Sequence, residues 1–504
     1  MNTLTLRFYL FTFIATLFVS IGFTATDFIT LPVASSKDLF VLGAQWGIVA
    51  AALFFLMLLL TVSKWIFAIL FPLGTFLSAL LAYFRYTAHA TLTPMILDAA
   101  LENDYRTSAE LCTPGLLLFA GGSFLVSLVF VYYRFKRITV YKPVYALGLG
   151  MAGLVLLTHV DRLKRPISER IPFNIYYTFI KYWEEKQVIS EKRKDLTEGI
   201  SCSGEEATVV FVLGESLRPD HLGLNGYERN TTPLLSAEEV ISFPFIYTEQ
   251  TYTNRSVPHL LTRADSTDYN RAYEEKSFVN LFNACGFYTV WLANQEAAST
   301  YAYFMNECDS LFYAHLDKSV YVFDRWVDGD LLPLFDRALE VKRDKKLIIL
   351  HTIGSHWWYN SHFTEEYALY QPVVKSKIIS SCTREEMINS YDNTVLYTDF
   401  FLSALIDRLR TENAILIYQS DHGEALGEEG IWLHASETPE THQAAGLVWM
   451  SPTYKERHRE AYEAAQGNAR KRFRTDYLFP SILDAAGIGS EYIDGSISIF
   501  RKQD

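Results

Sequence analysis

The sequence predicts a helical membrane domain of five spans followed by an α/β domain built on a mainly parallel sheet. Two observations carry this. Apolar stretches of membrane length crowd the first third of the chain, and beyond about Ala207 short β-rich apolar runs alternate with longer helical patterns. A third observation points to chemistry: polar residues come directly after several of those runs, where a parallel sheet places its functional groups.

The five expected spans run from Phe8 to Thr26, Val41 to Val62, Trp65 to Tyr86, Gly115 to Tyr133 and Pro143 to Val160. The first follows Arg7 and has the length of a cleaved leader, but four further spans favour an uncleaved anchor. Lys and Arg near span ends are retained on the cytoplasmic side. Lys64 lies between spans two and three, and Arg134, Lys136, Arg137 and Lys142 lie between four and five. Both loops share a side when every span crosses, so the amino terminus is expected inside and everything after Val160 outside. The outward loop at about 87–114 carries Asp98, Glu102, Asp104 and Glu110. It reads as a solvated connector, or as a surface helix long enough to reach a site on the exported domain.

Residues 161–205 mix charge with aromatics, as in Ile175-Tyr176-Tyr177-Thr178-Phe179-Ile180-Lys181-Tyr182-Trp183. Tyr and Trp favour the headgroup zone, so this stretch is expected to form interfacial linker helices. The net charge of −12, with no basic stripe in the exported half, argues against nucleic acid as a partner. Cys112, Cys202, Cys285, Cys308 and Cys382 can pair in an oxidising compartment, with one left over. Spacing does not choose partners, and no Cys-x-x-Cys motif points to thiolate metal binding.

Within the domain at 206–504, the expected strands are Val209 to Leu213, Tyr288 to Leu292, Lys346 to Leu350, Ala414 to Tyr418 and Gly446 to Met450. The first ends in Gly214-Glu215-Ser216, the third in His351-Thr352-Ile353-Gly354-Ser355-His356, and the fourth in Ser420-Asp421-His422-Gly423-Glu424. Asp421 and His422 offer a carboxylate and an imidazole to one cation such as zinc, although an Asp-His-Gly turn can also simply satisfy loop backbone. Glu215 can be a first-turn acid of a helix. Thr253, ahead of Ser256-Val257-Pro258, reads either as a helix N-cap or as a hydroxyl nucleophile beside a metal.

Together these segments resemble the membrane-anchored phosphoethanolamine transferases, which include lipid A modifiers and colistin-resistance enzymes, within the alkaline phosphatase and sulfatase superfamily. The resemblance rests on Gly214-Glu215-Ser216-Leu217-Arg218, Asn225-Gly226-Tyr227-Glu228-Arg229-Asn230-Thr231-Thr232-Pro233, Ser256-Val257-Pro258, His351-Thr352-Ile353-Gly354-Ser355-His356 and Ser420-Asp421-His422-Gly423-Glu424-Ala425-Leu426-Gly427. It covers nearly the whole chain. It implies an alkaline-phosphatase-like catalytic domain in the periplasm, carried on a multi-pass anchor in a bacterial inner membrane and acting as a monomer. It further implies that Glu215, Thr253, Asp421 and His422 hold zinc and that Thr253 is also the nucleophile. His356 and His434 look like the family's substrate-phosphate histidines, which can also hold a second zinc.

The implied reaction moves phosphoethanolamine from phosphatidylethanolamine to a lipid A or lipopolysaccharide-core acceptor through a phospho-threonine, releasing diacylglycerol. The outward loop near Asn103 and Glu110 resembles the periplasmic helix that helps bind the donor headgroup. His259, His351, His362 and His442 are expected to be structural or surface residues.

Two features depart from the family pattern. The stretch from Thr248 to Leu261 contains no cysteine, and Asn294-Gln295-Glu296-Ala297-Ala298-Ser299 has no counterpart to a lysine expected near the donor site. The Asn-Gln pair looks closer to members that modify core sugars. Among rival readings, a sulfatase would need Arg where Ser256-Val257-Pro258-His259-Leu260 has Leu. A phosphoglycerol transferase would use the same activated threonine with a different headgroup pocket. A non-catalytic metal- or phosphate-binding protein would be expected to have lost a ligand, and all four candidates are present.

Overall fold

The computed structural model describes residues 3–503 apart from 30, 32, 89–90, 95, 98–100, 102–112, 190, 317–324 and 435. Asn103 and Glu110 therefore lie outside the described residues. The chain divides into two compact units, one of the described residues up to Trp183 together with Lys375–Ser381, the other of the remaining described residues.

The first unit is helical. Its long elements are α1 (Thr3–Val19), α2 (Ser36–Val62), α3 (Lys64–Ala88), α4 (Pro114–Arg137) and α5 (Pro143–His159). A π-helical turn, Ser20–Thr24, prolongs α1. Among the described residues, four helices are long and apolar enough to cross a membrane. The fifth expected span is α5, whose 17 residues sit at the short end of what a hydrocarbon core requires. The axis then turns by 99° into α6 (Asp161–Ser168).

Arg134, buried near the end of α4, donates from Nε to Thr61 O at 2.8 Å and from Nη2 to Val62 O at 3.0 Å. A guanidinium thus satisfies carbonyls that the last turn of α2 leaves open. The contact also places the basic loops after α2 and α4 at one end of the unit, as the positive-residue pattern requires. The expected linker is helical as α6 and α7 (Phe173–Ile189), with Tyr176, Phe179 and Trp183 exposed.

The second unit is built on an eight-stranded sheet. Its strands are β1 (Thr208–Gly214), β2 (Ile241–Tyr247), β3 (Tyr288–Ala293), β4 (Ser310–Tyr313), β5 (Lys346–His351), β6 (Ala414–Ser420), β7 (Gln443–Met450) and β8 (Phe473–Arg474), in the order β8-β2-β7-β6-β1-β5-β3-β4. All five expected strands are present. The central strands β6, β1, β5, β3 and β4 are parallel, and β1, β5 and β6 are buried along their whole length. One face of the sheet, through Val209, Phe211, Leu347, Ile349, Ile415 and Ile417, packs on α8 (Thr253–Leu261), α9 (Phe278–Ala284) and α11 (Leu478–Ala485). The long helix α10 (Arg384–Leu409) starts in a capping box between Thr383 and Glu386.

Three further strands, β2, β4 and the two-residue β8, and the direction of β7 have no clear signal in the sequence. β2 carries Pro244 at its centre, which reads as a break, and it lies towards one side of the sheet beside the two-residue β8. β4 has four residues, too few for a periodic pattern. β7 runs antiparallel to both β6 and β2, because the described residues of the segment joining β6 to β7 contain no crossover helix.

Register aligns the ends of the central strands. Gly214 lies opposite Ser420, and Leu213 and Ala293 both lie opposite His351. The residues that leave β1, β6, β5 and β3 therefore emerge side by side at one edge of the sheet.

Cys202, in a short outer strand, is disulfide-bonded to Cys285 at the end of α9, across 83 residues of sequence. Closing a loop of that length restricts the unfolded chain. Reduction, or Cys285→Ala, is expected to destabilise the second unit by about 2–5 kcal/mol, measured as the loss of unfolding free energy in denaturant with and without reductant.

Candidate metal centre and nucleophile

Glu215 is the first residue beyond β1, and it is fully buried. It is not the first-turn acid of a helix. The chain turns sharply after it, with Ser216 in the left-handed region at φ +56°. Such a conformation is costly for a residue with a Cβ and persists only where its surroundings enforce it. Here the Ser216 N–H donates to Asp421 Oδ1 at 3.1 Å, Tyr391 Oη donates to Ser216 O at 2.7 Å, and the Leu217 N–H donates to Ser420 Oγ at 2.7 Å.

Asp421 and His422 leave β6 beside this turn. The Asp421 N–H extends the ladder to Gly214 O, at 3.0 Å. His422 Nδ1 donates to Gly423 O at 2.8 Å, because a carbonyl can only accept. The neutral ring is then unprotonated at Nε2, which lies 3.3 Å from Asp421 Oδ2, 3.4 Å from Glu215 Oε1 and 3.4 Å from Thr253 Oγ1. Gly423 is required: a Cβ there would sit 2.0 Å from Glu440 O and 2.4 Å from Gln443 O, both backbone atoms.

Thr253 opens α8, but it is not the N-cap. Tyr252 occupies that position without a capping side chain. The threonine hydroxyl donates instead to Glu215 Oε2 at 2.8 Å. Ser256, one turn on, donates to the backbone carbonyl of Asp421 and so ties the helix to the β6 loop.

Electrostatics make this cluster unusual. Burial and the charge of Glu215 raise the Asp421 carboxyl well above its ordinary range, while burial lowers His422 to about 4. Asp421 Oδ2 is buried without a hydrogen-bond donor among the described residues. Two buried carboxylates thus face an unprotonated imidazole nitrogen, an arrangement that a cation completes. Ligand atoms of Glu215, His422 and His434 all lie within 4.8 Å of one another. Two carboxylates, an imidazole and a hydroxyl suit zinc, so the donor set fits the metal the sequence implies.

The structure brings His356 and His434 to the same place. Their ring centroids are 5.5 Å apart, and His434 is 4.9 Å from His422. Glu424, the last residue of the Ser420–Glu424 motif, is fully buried. It accepts from His434 Nδ1 at 3.0 Å and from Tyr359 Oη at 2.7 Å. Sequence reasoning assigns no role to Glu424 or Tyr359, although Glu424 stands inside the motif. His351 and His362 are buried outside the cluster, and His442 stacks on Tyr247.

Asp328 likewise carries no signal in the sequence. Fully buried, it accepts from the N–H groups of Ile353 at 2.8 Å and Gly354 at 3.0 Å, and from Asn294 Nδ2 at 2.8 Å. These bonds hold the loop that carries His356. Gly354 has φ +48°, and a Cβ there would approach Glu215 O at 2.8 Å.

A sulfatase family model matches residues 207–488, more than half of the chain. The chain belongs to the sulfatase family. It is 35% identical over 260 residues to the Kdo(2)-lipid A phosphoethanolamine 7''-transferase of Salmonella typhimurium, covering 50% of this chain and 46% of that protein. The chain spans about half the length of the curated relatives it matches. Among solved structures, this sulfatase family member superimposes on the integral membrane lipooligosaccharide phosphoethanolamine transferase A of Neisseria meningitidis with a TM-score of 0.56 at 24% identity, over 98% of this chain and 99% of that one. The periplasmic domain of EcEptC from Escherichia coli, in complex with Zn, gives a TM-score of 0.56 at 24% identity over 62% of this chain and 91% of that one. These likenesses establish the fold, the helical first unit included.

Burial pushes Asp328 from an ordinary 3.8 to about 6, against the hydrogen bonds that favour its charge. The folded protein therefore takes up a proton between those values that the unfolded chain does not. The stability from this group is full below pH 3.8 and is lost as pH rises through 6. Asp328→Asn is expected to remove about 3 kcal/mol of that pH dependence, read from unfolding free energies of both proteins across the window.

Proposed function

We propose that this sulfatase family member is a zinc-dependent phosphoethanolamine transferase. It would take the group from phosphatidylethanolamine, hold it on Thr253, and pass it to a lipid A or lipopolysaccharide-core acceptor. The observation that carries the reading is the placement of the Thr253 hydroxyl at the rim of the carboxylate–imidazole cluster, 2.8 Å from Glu215 Oε2 and 3.4 Å from His422 Nε2. The names of the relatives support the choice of group.

Glu215, Asp421, His422 and Thr253 would hold the zinc, which supplies Lewis acidity and a lowered pKa at the hydroxyl when bound. The hydrogen bond to Glu215 fixes where the Thr253 proton points, so Oγ1 turns a lone pair outward. Oγ1 bonds to phosphorus as the bond from phosphorus to the glycerol oxygen breaks. His434, with Glu424 behind it to stabilise the imidazolium, delivers a proton to the departing diacylglycerol oxygen, while the Thr253 proton passes along its hydrogen bond to Glu215 Oε2 and returns to Oγ1 when the bond to phosphorus breaks in the second step.

In the second step an acceptor oxygen attacks phosphorus and the bond to Oγ1 breaks. His356 is lowered by burial and donates from Nδ1 to Trp357 O, so its Nε2 is free to take the proton of a hydroxyl acceptor. A second zinc on His356 and His434 would be compatible with their spacing. Residues 1–160 would anchor the enzyme in the inner membrane, 161–205 would lie at its surface, and 206–504 would work in the periplasm. Confining lipid donor, lipid-linked acceptor and enzyme to one surface raises their effective concentration.

Incubation with labelled phosphatidylethanolamine, followed by peptide mass measurement, tests the reading. A phosphoethanolamine adduct on Thr253 that vanishes in Thr253→Ala is expected, with His356→Ala and His434→Ala lowering kcat by roughly 100- to 10,000-fold. An adduct elsewhere, or turnover with none, would overturn the mechanism. Preference for phosphatidylglycerol in a donor competition would reassign the group.

A further inference from the structure

Asn294 and Gln295 come directly after β3 at the edge where the site is built, in place of the lysine expected near the donor. Asn294 is locked on both sides. Its N–H donates to His351 O at 2.8 Å, its Nδ2 donates to Asp328 Oδ1, and Trp326 Nε1 donates to its Oδ1 at 3.0 Å. Gln295 therefore leaves the strand from a fixed point.

The Gln295 side chain is buried and turned into the protein. Its Nε2 donates to Thr352 O at 2.7 Å and to Glu215 Oε2 at 3.1 Å. Both partners can only accept, so the amide must present its NH2 group to them, and both of its hydrogens are spent. None is left for the phosphate of a donor.

The Thr352 carbonyl is itself anchored, since the Thr352 N–H and Oγ1 each reach Leu213 O at 3.0 Å. On the other side of the carboxylate, Ser216 Oγ donates to Glu215 Oε1 at 2.7 Å. Glu215 is thus held at both oxygens, and Oε2 is the oxygen that also receives the Thr253 hydroxyl.

We infer that Gln295 is a positioning residue for the metal ligand Glu215, bracing it from β3 and β5 and so orienting Thr253, and is not a contact for the donor headgroup. The inference rests on the zinc and threonine roles proposed for this site. A group hydrogen-bonded behind a metal-binding side chain fixes its orientation, and losing one typically weakens metal binding 10- to 100-fold.

The full-length protein in detergent and its Gln295→Met variant, which keeps length and volume but lacks the donor, test the inference. Zinc affinity is read by chelator competition, and transfer from phosphatidylethanolamine is measured at saturating zinc. Gln295→Met is expected to bind zinc about 10- to 100-fold more weakly, with kcat lowered and the donor KM within about twofold of the parent. Gln295→Leu and Gln295→Asn are carried alongside, with thermal melting to select a folded variant.

Unchanged zinc affinity would overturn the inference, whether the donor KM rises, as for a headgroup contact, or stays the same. The zinc measurement needs no turnover. A parent protein that binds zinc yet does not consume phosphatidylethanolamine would refute the proposed reaction and still leave the role of Gln295 to be judged.

Discussion

Two carboxylates, Glu215 and Asp421, are buried together against one unprotonated imidazole nitrogen. Water cannot solvate them there, and among the described residues no lysine or arginine is bonded to either. A cluster of that kind is stable only when a cation joins it or a proton is retained. The surrounding loops are built to hold it in place: a left-handed serine, a glycine whose Cβ would strike two carbonyls, and a tautomer set by a neighbouring carbonyl.

The sheet supplies the rigidity that such a cluster needs. Glu215 leaves β1, and Asp421 and His422 leave the neighbouring β6 at the same level, so their separations are set by strand spacing and register rather than by loop flexibility. Thr253 comes from another element, the first turn of α8. It is tied in twice, through its own hydroxyl to Glu215 and through Ser256 to Asp421 O. The histidines form an outer rank, with His434 backed by Glu424 and Tyr359, and the His356 loop held by Asp328.

Much of this is legible in the chain. The five strand cores read as near-continuous apolar runs, and the polar residues at their ends locate Glu215, Asp421 and His422. Register is not legible, because apolar runs do not say which strand lies beside which. The Pro-containing β2 and the four-residue β4 fall below any periodic signal. Thr253 reads on local pattern as an N-cap, and its hydroxyl is drawn elsewhere by a carboxylate 38 residues away in sequence. Asn294-Gln295 stands out in the sequence only as a departure from a pattern, and its role as a brace depends on partners at Asp328, Thr352 and Glu215.

The sequence by itself determined that apolar helices of membrane length precede an α/β domain, since span length and strand hydrophobicity are local properties of composition. It also determined which residues are chemically able to hold a metal. Only the tertiary structure decided that Glu215, Thr253, Asp421, His422 and His434 meet, which tautomer His422 adopts, and which oxygen of Glu215 faces the threonine. Those outcomes depend on hydrogen bonds between residues that are distant in the chain, and they exist only once the strands have paired in register.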